Sequence, residues 1–148
     1  MRPAVLTRYE AAHLAQLDLV GRRRSGDAGD VLLLLEHHPV ITLGRNADAG
    51  GVLAGNEVLR ARGIDVHRVE RGGQATYHGP GQLVAYPIFD LRALGGGVAR
   101  FVHRLEETMV RTAAAFGVEA SPGQGVIGVF AGGAKIGAVG VRVTRGVT

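Results

Sequence analysis

Residues able to do chemistry are densest between Arg71 and Gln82. There the run Arg71-Gly72-Gly73-Gln74-Ala75-Thr76-Tyr77-His78-Gly79-Pro80-Gly81-Gln82 places an arginine, a histidine and four glycines in twelve positions. Paired glycines after a strand let the backbone approach a ligand closely. An arginine beside them can bind a carboxylate or a phosphate. A plain β-turn with a surface arginine has the same letters, and the run is neither G-x-G-x-x-G nor a P-loop. On a strand, Thr76 and His78 face the same side. His78 is then a general acid/base or a hydrogen-bond donor near a carbonyl, unless it is structural.

Lys135 is the second feature. Of 17 Lys and Arg residues it is the sole lysine, and it stands between Gly132-Gly133-Ala134 and Ile136-Gly137-Ala138-Val139-Gly140. Desolvation in such a setting lowers an amine pKa and makes a usable base, whereas arginine keeps its proton. An ordinary edge-strand lysine is the other reading. His37, His38, His67 and His103 offer a metal alternative. They lack the His-x-x-x-His spacing of a zincin, and there is no cysteine to help. Arg22-Arg23-Arg24 reads as a solvated helix end.

Composition bounds the rest. With 148 residues, 46% hydrophobic and 20% charged, the chain is an ordinary globular sequence, and length suggests one domain. Its 24 glycines are about twice the usual share. The net charge of +4 and the isoelectric point near 10.3 suit an acidic partner. Aromatics at 5% supply no stacking platform, so no nucleic-acid partner is expected. The most apolar stretch, Val126 to Val143, is broken by Lys135 and by glycines, so no membrane partner is expected. A cytoplasmic protein is the expectation. With zero cysteines, disulfides and thiolate chemistry are excluded from this polypeptide.

These residues need elements to hold them. Leu14, Leu17 and Val20 recur near the helical period, which predicts a helix over 9–24. The apolar run 31–36 predicts a buried strand, and 40–43 a second, short strand. Asn56 is placed to cap a helix over 57–62, with Gly63 as its stop. Strands are expected over 64–70 and 83–91, with Gly79-Pro80-Gly81 as a type II turn between Thr76–His78 and the second of these. Gly95-Gly96-Gly97 is a joint. Val98, Phe101, Val102, Leu105, Met109, Ala113 and Phe116 form one face of a helix over 98–116. Strands follow at 118–120, 125–130 and 135–143, with a hairpin turn at 131–133. Helices and strands do not alternate regularly, so the fold class is α+β, with a mixed or antiparallel sheet and flanking helices.

The eighteen residues Arg71–Ile88, Arg-Gly-Gly-x-x-Thr-x-His-Gly-Pro-Gly-Gln-Leu-Val-x-Tyr-Pro-Ile, closely resemble the signature of the lipoyl(octanoyl) transferase family. Glu36–Arg45 and Ala134–Arg142 resemble that family's early strand pair and its lysine strand, and the resemblance spans essentially the whole chain in order. It implies the catalytic-domain fold shared with biotin and lipoate protein ligases. It also implies transfer of an octanoyl group from acyl carrier protein to a lysine of a lipoyl domain, in 2-oxoacid dehydrogenase complexes and the glycine-cleavage H protein, with no cofactor and no metal.

By the same match, Arg71, Gly72, Gly73, Gln74, Ala75, Thr76, Tyr77 and His78, with Ala138, Val139 and Gly140, bind the acyl substrate. Lys135 lowers the pKa of a catalytic cysteine and serves as acid/base. In the family that cysteine lies downstream of the lysine strand, and this chain carries none. The expectation is therefore a single catalytic domain over 1–148, incomplete at its C-terminus and inactive alone. A non-catalytic relative that binds acyl carrier protein or lipoyl domains, and an ATP-dependent lipoate or biotin ligase, are the alternatives.

Overall fold

The computed structural model describes residues 5–148, apart from the side chain of Ala49. In chain order it contains β1 (Leu6–Thr7), α1 (Tyr9–Ser25), β2 (Val31–His37), β3 (Val40–Leu43), α2 (Asn56–Ala61), β4 (Asp65–Arg68), β5 (Ala75–His78), β6 (Val84–Ile88), α3 (Leu91–Leu94), α4 (Gly97–Ala115), β7 (Ser121–Pro122), β8 (Val129–Ala131) and β9 (Ala134–Gly137). The fold is α+β, as the patterning requires. Among the described residues no helix is long and apolar enough to cross a membrane.

The strands form three three-stranded sheets, ordered β1-β2-β6, β4-β3-β5 and β7-β8-β9. β1 runs parallel to β2 and β4 parallel to β3, while the other pairs are antiparallel. His38-Pro39 carries the chain from the first sheet to the second, since proline donates no ladder bond and fits between strands.

β2 departs from the sequence expectation. Its apolar run is not buried on both sides: Leu32 is 52% and Leu34 58% exposed. Leu33 and Leu35 face inward, opposite Tyr86 and Val84 of β6. A continuous apolar run hides its period of two, so the sequence did not reveal which face is covered.

Other boundaries move for local reasons. Gly55, not Asn56, caps α2. β6 ends at Ile88 because Asp90 accepts a bond from the Arg92 amide at 3.0 Å and starts the short α3. The next strand is Ser121–Pro122 instead of 118–120, and β9 stops at Gly137, so 138–143 lies outside the third sheet. The turn Gly79-Pro80-Gly81 is as expected: Gly81 has φ +86°, and the Gln82 amide bonds back to the Gly79 carbonyl at 3.1 Å. Gly132-Gly133 closes the β8–β9 hairpin, both at positive φ.

α4 anchors the third sheet. Phe101 is buried and meets the Phe89 ring edge-on at 6.1 Å. Buried Glu106 accepts the Gly128 amide at 2.7 Å, fixing the entry to β8. Phe116 is 83% exposed, so the apolar face ends before it. On α1, Leu14 and Leu17 are exposed and the buried residue is Ala12.

Removing the Phe101 ring leaves an aromatic-sized cavity against Phe89. We expect Phe101→Ala to cost about 3–5 kcal/mol of stability, measured by urea unfolding.

Candidate functional site

The strand β3 is the floor of the site. Along it, Val40 and Thr42 are buried and pair with His78 and Thr76 of β5. Thr76 and His78 therefore share the inward face, while Ala75 and Tyr77 point the other way. Tyr77 is half-exposed, and its ring occupies the space that a side chain at Gly79 would need.

The loop Arg71–Gln74 is pinned to the end of β3 by its own backbone. The amides of Gly44, Arg45 and Asn46 donate to the carbonyls of Gln74, Arg71 and Gly73, each at 3.1 Å. Arg71 adds the side-chain tie. Its Nη2 donates to the Thr42 carbonyl at 2.8 Å and to Thr42 Oγ1 at 2.7 Å, and its Nη1 to the Gly72 carbonyl at 3.0 Å. The sequence suggested a ligand-binding arginine, but these donors are spent on the protein. Half-burial lowers the Arg71 pKa from its ordinary value, and nearby Tyr9 and Tyr86 oppose that shift. Gly44 is required here because a Cβ would run into the Gly73 backbone carbonyl and stand 2.8 Å from Arg71 Nη1.

The segment after β9 lies on this loop. Gly72 donates to the Val141 carbonyl at 3.1 Å, and a Cβ on Gly140 would come within 2.9 Å of the Gly72 carbonyl and 3.2 Å of Arg71 Cδ. Gly140 and the Arg71–Gly73 loop, predicted to act together, are thus in contact. Gln74 is exposed at the end of the loop. Ala138 and Val139 lie on the short stretch between β9 and this contact.

Lys135 differs from its expectation. It is exposed, its Nζ donates to the Ile127 carbonyl at 2.7 Å, and it lies 5.8 Å from the centre of the Phe130 ring. Its small neighbours have too little side chain to desolvate it, so the argument from burial does not hold. Gly140 lies five positions further along the chain, a span of at most about 18 Å.

A group that the sequence did not flag as a unit lies under β3 and β5. His37 is fully buried; its Nδ1 is 2.9 Å from the Thr7 carbonyl and its Nε2 2.8 Å from the Tyr86 hydroxyl. A carbonyl can only accept, so Nδ1 carries the proton and Nε2 accepts from Tyr86. Tyr9 packs on His37, His67 and His13, with ring centres 5.0–5.9 Å apart, and His78 sits 5.7 Å from His37. His78 Nδ1 lies 2.6 Å from Gln82 Oε1, which makes Nδ1 the donor and leaves Nε2 with its lone pair.

Two of the histidines weighed as metal ligands, His37 and His67, thus belong to an aromatic cluster around Tyr9, while His103 pairs with Glu107 on the surface of α4. The available signal was the Tyr9–His13 spacing of four on one helix.

Desolvation pushes both His37 and His78 below the ordinary histidine value; Thr7 and Gln82 respectively oppose the shift, while other cations nearby reinforce it. Burial likewise raises Tyr9 and Tyr86. Unfolded histidines bind protons from about pH 6.5 downward, where the folded ones resist. Stability is therefore complete above about pH 6.5 and falls as pH drops toward the folded pKa values. Urea unfolding should show a lower midpoint at pH 5.5 than at 7.5, with a smaller drop in His37→Asn.

Comparison with known proteins places this arrangement. Residues 9–148 match the family model for the lipoyl protein ligase A/B catalytic domain, so the chain belongs to that family. An octanoyltransferase of Acidobacterium capsulatum is 48% identical over 146 residues, covering 90% of this chain and 59% of its own length. One from Chloroflexus aurantiacus is 48% identical, covering 95% of this chain and 64% of its own. The chain therefore spans about three-fifths of these relatives. Among solved structures, lipoate-protein ligase A bound with ATP superposes with a TM-score of 0.70 at 19% identity, covering 90% of this chain and 58% of that one. Protein Ta0514 of T. acidophilum with bound lipoic acid gives 0.68 at 18%, covering 90% and 60%. These likenesses establish the fold.

Proposed function

We propose that this chain forms the acyl-binding part of an octanoyltransferase. It would take an octanoyl group from acyl carrier protein and direct it to a lysine of a lipoyl domain, in 2-oxoacid dehydrogenase complexes and the glycine-cleavage H protein, in the cytoplasm. The observation that carries this reading is the apposition of Gly140 on Gly72, which brings the two stretches expected to line the acyl chain together from 68 positions apart. Identity of 46–48% to octanoyltransferases, over 90–95% of the chain, supports it.

In this reading the glycines admit a thin alkyl chain between backbones. Thr76 and His78 face the carbonyl end, and His78 Nε2 accepts a hydrogen bond or a proton there. Lys135, exposed with its Nζ on the Ile127 carbonyl, carries protons between solvent and the reacting groups. Transfer proceeds by thiolate attack on the octanoyl thioester with departure of the carrier thiol, which takes up a proton. A lysine amine then attacks the new thioester, loses its proton and expels the thiolate. The thiolate is not available from these 148 residues, which contain zero cysteines.

The chain should therefore bind octanoyl donor without becoming acylated. Mass spectrometry after incubation with octanoyl-acyl carrier protein should show no octanoyl adduct, and transfer to a lipoyl domain should be at background. Robust turnover would overturn this reading and require another nucleophile. A modest close-contact change, Gly140→Ala, should weaken donor binding about tenfold or more by pushing on the Gly72 carbonyl, read by calorimetry.

A further inference from the structure

A cleft adjoins the Arg71 loop and plays no part in the acyl reading. It holds about 440 Å³ and is lined by Arg45, Glu70, Arg142, Val143, Thr144 and Arg145. Its cations come from two distant stretches of chain, one just after β3 and one after β9. Arg142 Nη2 pairs with Glu70 Oε2 at 2.6 Å. Among the described residues, Arg45 and Arg145 pair with no carboxylate. The lining therefore keeps a surplus of positive charge after its one carboxylate is matched.

Arg145 is held in an unusual conformation. It has φ +52°, and is the sole non-glycine residue at positive φ among the described residues. Gly146 follows at φ +88°, and Thr144 and Val147 exchange backbone bonds of 2.8 and 3.2 Å. This is a type I′ turn, whose first central position favours Asn, Asp or Gly. An arginine there carries conformational strain that a common asparagine would relieve. Strain kept at the rim of a cationic cleft points to a use for the side chain.

The cleft also shares its wall with the candidate site. Arg45 donates its amide to the Arg71 carbonyl, and Val141, next to Arg142, accepts from Gly72, each at 3.1 Å. The cleft thus borders the Arg71–Gly73 loop.

We infer that this cleft binds the phosphodiester of the phosphopantetheine arm on which the acyl donor is carried. The inference rests on the octanoyl-transfer reading, which supplies a thioester donor with such an arm. Arginine forks match phosphate oxygens in pairs, and charge-assisted bonds of this kind are the strong ones. With Glu70 matched to Arg142, two unpaired arginines remain, enough for the single negative charge of a phosphodiester and few for a polyphosphate.

The test uses the full chain and two octanamide analogues of the arm, inert to transfer. One ends in a methyl phosphodiester and the other in the free alcohol. By calorimetry, the phosphodiester analogue should bind about tenfold tighter or more, and its advantage should shrink as salt rises. Arg45→Gln and Arg145→Asn should each reduce that advantage while leaving affinity for the alcohol unchanged. Arg145→Asn suits the turn and should raise Tm, which separates lost binding from lost folding. Equal affinity of the two analogues, or unchanged phosphodiester affinity in both variants, overturns the cleft assignment and leaves the acyl reading standing. ATP binding tighter than the arm and lost in the same variants makes this a nucleotide site and overturns it as well. Failure of both analogues to bind overturns the acyl reading and the cleft assignment with it.

Discussion

The guanidinium of Arg71, seated on Thr42, holds the site together. Thr42 is 1% exposed, so its carbonyl and hydroxyl have no water to turn to, and Arg71 supplies donors to both. A buried polar pair of this kind costs little while complete and a great deal when broken. Because of it, the loop Arg71–Gln74 cannot swing away from β3, and the loop in turn gives the segment after β9 a backbone partner in Gly72. Three regions far apart in sequence are fastened through one side chain. Glycine at positions 44 and 140 is the steric counterpart, since each lets another backbone or the guanidinium come close.

The same cation shapes the electrostatics below it. Burial pushes His78 below the ordinary histidine value, the hydrogen bond to Gln82 opposes that shift, and His37 and Arg71 add to it more weakly. His37, buried between the Thr7 carbonyl and the Tyr86 hydroxyl, has room for one ring proton in its hydrogen-bond pattern. The consequence is a neutral, tautomerically defined imidazole pair beside the loop. Such an arrangement keeps a lone pair on His78 Nε2 at neutral pH, which an exposed histidine pair would not guarantee.

Much of this was visible beforehand. The helix over α4, the turn at Gly79-Pro80-Gly81 and the hairpin at Gly132-Gly133 follow from local rules: a 3.6 period, a proline torsion and positive-φ glycines. The pairing of Arg71–Gly73 with Gly140 came through family resemblance, because nothing in either stretch names its partner. The errors have a common cause. Burial of Leu32, Leu34 and Lys135 was inferred from apolar neighbours in sequence, whereas solvent exposure depends on what packs against a side chain from elsewhere. The short β7 and the early end of β9 depend likewise on strand partners and not on β propensity.

By itself the sequence determined the fold class, the family and the places where backbone can approach backbone, since these rest on residue type and near-neighbour spacing. It also determined that no thiolate arises within these 148 residues, a matter of composition alone. The tertiary structure decided what each charged group is for. It spent Arg71 on Thr42, left Lys135 in solvent, joined His37 to Tyr86 across β2 and β6, and brought Arg45 next to Arg142 and Arg145. Electrostatic and hydrogen-bond roles are properties of distance and burial. Those are fixed when remote segments meet, and no stretch of sequence contains them.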